Sequence, residues 1–201
     1  YHFGAYMKTQ VLEHCDNHSE KSIELLKTIM RFKSVSADSH YKKDVLDCAA
    51  YTAQFLKEIG LENVQPHQTK GYPILTAEWC HAEGQPTVLF YGHYDVQPAD
   101  PFELWDSEPF DLIERGDYLY GRGVADDKGQ VYCHLLAIKA WMAVHGKLPI
   151  NVKIIIEGEE EVGSPNLSAF LHDNKALLAS DVVLISDTPM YSKNQPSLCF
   201  S

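Results

Sequence analysis

Residues 150–164, INVKIIIEGEEEVGS, join an apolar run to a cluster of acids. The first seven of these residues are rich in β-branched apolar side chains, which is typical of a strand buried on both faces. Glu157, Glu159, Glu160 and Glu161 then fill four of the next five positions. Because like charges repel and carboxylates are costly to hold near a core, the end of a core strand is an unfavourable place for them unless something compensates their charge.

Outward from this stretch, apolar patterns predict helices and strands that alternate along the chain. Helices are predicted over residues 19–32, 42–59, 127–145 and 166–178, and strands over 72–80, 86–93, 150–156 and 181–186, with a short extended piece at 118–123 and the start of another strand at 196–201. The polar residues 81–85 indicate a hairpin loop between the first two strands. This alternation predicts an α/β fold with a mostly parallel or mixed central sheet flanked by helices.

Acidic residues and one histidine follow the predicted strands and the extended piece. In chain order they are His93, Asp95, Asp126, Asp127, the glutamates of residues 157–161, and Asp187. Since sites in open α/β sheets lie at the carboxyl ends of strands, we expect these side chains at one edge of the sheet. Taken singly, each has a plainer explanation as a helix-start residue, a turn former or part of a solvated face. Taken together they favour a metal site, because cations offset the repulsion between clustered carboxylates.

The ligand types narrow the choice of metal. One imidazole with several carboxylates and no thiolate suits zinc, manganese or cobalt in a hydrolytic site better than a structural zinc. The number of acids favours more than one ion, and paired ions in two-metal hydrolases lie ~3.5–4 Å apart and often share a carboxylate. One glutamate would then be left to take a proton from water.

Four segments carry a resemblance to a known family: YGHYDVQPAD at 91–100, WDSEPFDLIERGDYLYGRGVADDKGQ at 105–130, IEGEEEVGS at 156–164 and LISDTP at 184–189. In order and spacing they resemble the dinuclear zinc peptidases and deacylases, which include carnosinase-type dipeptidases, glutamate carboxypeptidases, acetylornithine deacetylase and aminoacylases. DVQP and WDSEPF are most similar to the dipeptidase branch. The likeness extends from about residue 72 to the end of the sequence.

The resemblance implies roles for the matching residues. The metal ligands it implies are His93, Asp126, Glu161 and Asp187; Asp126 would bridge two zinc ions, and the family often has a cis peptide bond after this residue. The catalytic residues it implies are Asp95, which would hold the His93 ring through its second nitrogen, and Glu160, which would be the general base. Glu159 falls at a variable position and is expected to be replaceable, and Glu157 receives no catalytic role.

The activity implied is hydrolysis of a peptide bond in dipeptides or short peptides. Removal of the acyl group from N-acyl amino acids is the alternative within the family, and the substrate-binding residues are not assigned. A non-catalytic binding module on the same fold would predict loss of Glu160 or of metal ligands, whereas these residues are present.

The resemblance also implies that residues 1–201 are the front part of one catalytic domain. The histidine that completes the second zinc site, and a smaller inserted domain with dimer contacts and substrate-binding groups, are expected elsewhere; His134, His145 and His172 match no ligand position. The complete enzyme is expected to be a homodimer with two zinc ions. This chain alone is expected to hold one metal well at best and to show weak or no activity, so a non-catalytic metal-binding fragment stays open.

Composition excludes some classes of partner. With 17 Lys and Arg against 28 Asp and Glu, the net charge of −11 argues against nucleic acid or an anionic membrane. Five cysteines without CxxC spacing predict a reducing compartment, and we expect a cytoplasmic protein. The first residues lack the pattern of a signal peptide, and we interpret Met7 as a candidate initiator that follows six residues foreign to the protein.

Overall fold

The computed structural model describes residues 2–192 and Gln195. Its helices are α1 His2–Asn17, α2 Ser19–Met30, α3 Lys42–Glu58, α4 Lys128–His145 and α5 Leu167–Asp173. Its strands are β1 Glu62–His67, β2 Ile74–Trp79, β3 Thr87–His93, β4 Ile113–Arg115, β5 Tyr118–Tyr120, β6 Asn151–Glu157 and β7 Val182–Ile185. No helix in this part of the chain is long and apolar enough to cross a lipid bilayer.

The main sheet has the strand order β1-β2-β6-β3-β7. Strands β6, β3 and β7 run parallel to one another, while β2 is antiparallel to both of its neighbours. Helices cover the sheet, so the predicted α/β fold with a mixed central sheet flanked by helices is confirmed. Because β3, β6 and β7 point the same way, their carboxyl ends lie along one edge.

Alternate residues of β6 enter two different layers of the core. Ile154 and Ile156 pack in the large cluster formed with α2, α3 and α4. Ile155 faces the other side of the sheet and packs with Ile74, Leu89 and Leu178. The period of two along a strand explains this division, and burial on both faces explains why the whole run is apolar.

The predicted hairpin at residues 81–85 is wrong. Strand β6 lies between β2 and β3 and pairs with both of them. Residues 80–86 therefore connect two strands that do not pair with each other, and the turn in which the Gln85 N–H donates to the Ala82 carbonyl at 3.1 Å is not that of a hairpin. Since β6 is apolar on both faces, a central position buries more of its surface than an edge position would.

Four other elements differ from the predictions. Helix α5 ends at Asp173, five residues before the predicted end at residue 178. The extended piece at 118–123 supplies β5, which among the described residues pairs with β4 in a two-stranded sheet separate from the main one. Strand β1 escaped prediction because its residues ENVQPH are mostly polar and exposed at the sheet edge. Helix α1 was not predicted either; it includes residues 2–6, whose foreign origin stays a prediction. The strand predicted at 196–201 lies outside the described residues.

Candidate metal centre

The parallel strands bring their terminal polar residues to one edge of the sheet. In the register of β3 and β6, His93 lies opposite Glu157, and the backbone N–H of Tyr94 donates to the Glu157 carbonyl at 2.9 Å. Strand β7 lies on the other side of β3, and Asp187 follows its end by two residues. Asp126 reaches the same place from the loop before α4. The strand that precedes this loop, β5, is not part of the main sheet.

His93 is the centre of the site. Its side chain is fully buried, and its Nε2 lies 3.2 Å from Asp126 Oδ1, 3.7 Å from Asp187 Oδ2 and 4.0 Å from Glu160 Oε2. This nitrogen has no hydrogen-bond partner within the described part of the chain. This buried nitrogen without a partner and the carboxylates from three segments around it together form a set of ligand atoms suited to a divalent cation.

Asp95 connects the histidine to the acidic turn, residues 158–163, which follows β6. The carboxylate is fully buried, with Oδ1 3.3 Å from His93 Nδ1, and the backbone oxygen of Asp95 lies 3.0 Å from the same nitrogen. The backbone N–H groups of Glu160 and Glu161 donate to Oδ1 and Oδ2 at 3.2 and 3.1 Å. One carboxylate thus fixes both the imidazole ring and the backbone of the two glutamates.

The two central glutamates are placed differently. Glu160 belongs with His93 and Asp187 to a group whose ligand atoms all lie within 4.8 Å of one another. The carboxylate of Glu161 is instead held by Gln97, whose backbone N–H donates to Oε1 at 3.1 Å and whose Nε2 donates to Oε2 at 2.6 Å. The structure therefore brings together His93, Asp126, Glu160 and Asp187, while the Glu161 carboxylate accepts hydrogen bonds from Gln97.

Asp127 contributes to the site in a way that its position in the sequence conceals. It precedes α4, yet its side chain does not cap that helix; its Oδ2 accepts a hydrogen bond from the backbone N–H of His93 at 3.1 Å. Its peptide bond with Asp126 is cis, as the resemblance implied. Burial raises the pKa of Asp127 to about 7, since water is excluded from its charged form. Asp127 does stand at the start of α4, as the plain interpretation has it, but its carboxylate bonds to the backbone of His93 and not to the helix.

Electrostatics across the site favour a bound cation. Burial lowers the pKa of His93, but the hydrogen bond and charge of Asp95, with the charges of Asp127 and Asp187, outweigh it and raise the pKa to about 10. Burial and neighbouring acids also raise the pKa of Glu160 and Glu161. A divalent cation would reverse these shifts, because it stabilises the carboxylates and the neutral imidazole.

Glu159 is not the freely replaceable residue that was expected. It is 8% exposed, and Asn166 Nδ2 donates to its Oε2 at 2.6 Å. Gly71 approaches so closely that a methyl group there would overlap the Glu159 carboxylate. Because a buried carboxylate is costly without its partners, a change at Glu159 has to preserve this contact to be tolerated.

Sequence patterns missed two further partners of the acids. Ser36 donates to Asp95 Oδ2 at 2.6 Å from a loop with no periodicity, and the hold of Gln97 on Glu161 depends on a contact across 64 positions. Lys128 was also missed: it is fully buried and donates to the carbonyls of Ile29 and Phe32 at the end of α2. Its place directly after the two aspartates was the only available signal.

Comparison with known proteins identifies the family of this chain. Residues 89–198 match the profile of Peptidase family M20/M25/M40, which is more than half of the chain. The chain therefore belongs to this peptidase family.

Individual relatives are dipeptidases by name. The chain is 32% identical to the human Beta-Ala-His dipeptidase over 205 residues, covering 95% of the chain and 40% of that protein. It is 33% identical to a Cys-Gly metallodipeptidase of Candida albicans, covering 90% of the chain and 40% of that protein. The crystal structure of human carnosine dipeptidase 1 aligns with a TM-score of 0.84 at 33% identity, over 92% of this chain and 42% of that one. The chain thus spans about two fifths of the length of the curated relatives it matches.

Proposed function

We propose that the full-length protein is a metal-dependent hydrolase that cleaves the peptide bond of dipeptides or short peptides. The observation that carries the proposal is His93 Nε2, which is buried, lacks a partner among the described residues and faces Asp126, Glu160 and Asp187. The chain's family and its relatives, named as dipeptidases, support the choice of substrate.

The residues of this site would divide the work between them. His93, Asp126 and Asp187 would hold a first zinc ion, and Asp126 with Glu161 would hold part of a second site. When bound, the metal supplies Lewis-acid polarisation of the substrate carbonyl and acidifies water. Glu160 Oε2 would accept the proton of the attacking water and return it to the leaving amine, while Asp95 keeps the His93 ring in place.

The finer features of the full-length enzyme are also proposals. We infer two zinc ions, with manganese or cobalt as substitutes, and a homodimer in a reducing compartment such as the cytoplasm. Cys15, Cys48, Cys80 and Cys133 form no disulfide within the described residues, which supports the compartment. Assays of dipeptides beside N-acyl amino acids would separate a dipeptidase from a deacylase.

The test is Glu160→Gln in the full-length enzyme, with Glu159→Gln as the matched control in the same turn. Glu160→Gln removes the proton acceptor but keeps the shape of the side chain, so we expect retained metal and a loss of kcat of at least about 10²-fold. Metal content by atomic emission and initial rates of dipeptide cleavage measure the two effects. Normal turnover by Glu160→Gln would refute the assignment, and a larger loss with Glu159→Gln would move the base to residue 159.

A further inference from the structure

Glu157, the first acid of the run, is the most deeply buried of the four. It is 1% exposed at the end of β6, and burial raises its pKa. Its Oε1 accepts two hydrogen bonds, from Tyr91 Oη at 2.7 Å and from Ser164 Oγ at 2.8 Å. Glu157 is not among the carboxylates recorded beside His93 Nε2, which are Asp126, Glu160 and Asp187.

Glu157 and Ser164 lie at the two ends of the acidic turn. Between them lie a short 3-10 turn, Glu160–Val162, and Gly163, whose φ of +87° reverses the chain. Ser164 follows with a φ of +49°, which is uncommon for a residue other than glycine. The bond from its hydroxyl to Glu157, with one from its backbone N–H to the Glu159 carbonyl at 2.8 Å, holds this conformation.

Tyr91 fastens the same carboxylate to the strand that carries the histidine. Tyr91 and His93 are two residues apart on β3, so they lie on the same face of the sheet. In register, His93 is the neighbour of Glu157 on β6. The Glu157 carboxylate is therefore bonded to the strand of His93 on one side and to the far end of the turn on the other.

We propose that Glu157 is a positioning residue which, through Tyr91 and Ser164, closes the turn 158–163 and sets the places of Glu160 and Glu161 relative to His93. The turn itself is observed, and only the catalytic consequence rests on the proposed function. Asp95 holds the turn from inside, through the backbone N–H groups of Glu160 and Glu161. Glu157 holds the turn at its ends. Both sets of hydrogen bonds, those of Asp95 and those of Glu157, are required to keep the N–H groups of Glu160 and Glu161 directed at the Asp95 carboxylate.

The first test uses amide hydrogen exchange by NMR on this chain, without metal or substrate. Ser164→Ala and Tyr91→Phe each delete one hydroxyl; we expect exchange at Glu160 and Glu161 to accelerate roughly fivefold, because one hydrogen bond contributes about 1 kcal/mol to holding the turn. The amides of Ile154 and Ile155 in β6 should keep their rates. Ser168→Ala and Tyr120→Phe, which alter exposed side chains, are the matched controls.

Glu157→Gln provides the rescue, since its amide oxygen still accepts from both hydroxyls, whereas Glu157→Leu removes the acceptor. We expect the Gln variant to keep slow exchange at Glu160 and Glu161 and the Leu variant to lose it. Unchanged exchange in Ser164→Ala and Tyr91→Phe, or equal acceleration in β6, would overturn the proposal, because the carboxylate would then serve general stability alone.

In the full-length enzyme Ser164→Ala, Tyr91→Phe and Glu157→Leu should lower kcat about 10–100-fold with KM changed less than about threefold, as expected when a residue that orients a catalytic group is lost. Glu157→Gln should keep most of kcat. A fall in stability alone would lower the concentration of folded enzyme and leave the kcat of the folded fraction unchanged. If exchange responds as expected and the unaltered enzyme hydrolyses no peptide, the proposed function fails and the positioning role stands. Normal kcat in a variant with accelerated exchange would overturn the link to catalysis.

Discussion

Strands β6 and β7 have similar apolar sequences and opposite surroundings. Ile154, Ile155 and Ile156 of β6 are at most 2% exposed, whereas Val182, Val183 and Ile185 of β7 are 51%, 55% and 52% exposed. The cause is position: β6 is paired on both edges, and β7 is the last strand of the described sheet. An apolar run thus predicts a strand but does not reveal how many neighbours it has.

The difference continues at the carboxyl ends, where both strands deliver acids to the site. The turn after β6 is held by Asp95 and by the Glu157 bonds to Tyr91 and Ser164. Asp187 after β7 is preceded by Ser186, which shares a hydrogen bond of 2.5 Å with His134 of α4. The site therefore has a side built into the core and a side attached to an exposed strand, and substitutions on the two sides should have different effects.

The largest effect is expected from one substitution made on both strands, Ile155→Ala and Ile185→Ala. Ile155 is 1% exposed, so its truncation removes buried surface and leaves a cavity, at a cost of about 2–5 kcal/mol. Ile185 is half exposed, and its truncation should cost less than about 1 kcal/mol. Urea unfolding followed by circular dichroism measures both. Equal losses would mean that β7 is as well covered as β6, which would remove the distinction.

The elements and the site that the sequence did predict depend on local patterns. Apolar runs predicted β2, β3, β6 and β7, and helical spacing predicted α2, α3 and α4. His93 and Asp187 approach each other because His93 ends β3 and Asp187 lies two residues beyond the end of β7, and parallel pairing puts these two ends at one edge. A polar residue at the end of one of these parallel strands is therefore placed at the edge of the site, whereas Asp126 reaches the site from a loop.

The features that escaped prediction depend on contacts between distant parts of the chain. The insertion of β6 between β2 and β3 pairs Ile156 with Leu75 on one side and with Gly92 on the other, and no residue of 81–85 records these long-range contacts. The hold of Gln97 on Glu161 and the turn of Asp127 towards His93 also follow only from the folded arrangement. The local features, a turn at 82–85 and a helix start at Asp127, are present in the structure, but neither of them predicts the long-range contacts made there.

The second prediction concerns the buried side of the site and its response to pH. Burial raises the pKa of Asp127 from 3.8 to about 7, so between these values the folded chain binds more protons than the unfolded chain. Stability that this group contributes at low pH is therefore lost as pH rises from about 4 to 7, by at most about 1.4 kcal/mol per pH unit. Asp127→Asn removes the titration, and its amide oxygen still accepts from the His93 N–H.

Urea unfolding at pH 4 to 7 in chelator-treated buffer measures this effect, with Asp117→Asn on an exposed turn as the control. We expect Asp127→Asn to flatten the decline of the free energy of unfolding with pH, and the control to leave it as it is. Added Zn²⁺ should oppose the decline, because a bound cation favours the deprotonated acids. An Asp127→Asn variant with the same decline as the unaltered chain would show that this carboxyl is not what titrates.

The smallest effect is expected on the exposed side, from Ser186→Ala. The substitution removes the bond between His134 and Ser186, the contact that precedes Asp187 on β7. Because Asp187 itself is kept, Zn²⁺ affinity should fall roughly tenfold or less, at the lower end of what a residue that orients a ligand contributes. Competition with a chromophoric chelator measures the affinity, and Ser186→Thr, which keeps the hydroxyl, should restore most of it. A loss of Zn²⁺ affinity far above tenfold in Ser186→Ala would mean that the edge strand β7 positions its ligand as rigidly as the core strand β6 does. Burial of the strand would then not determine how rigidly a metal ligand is positioned.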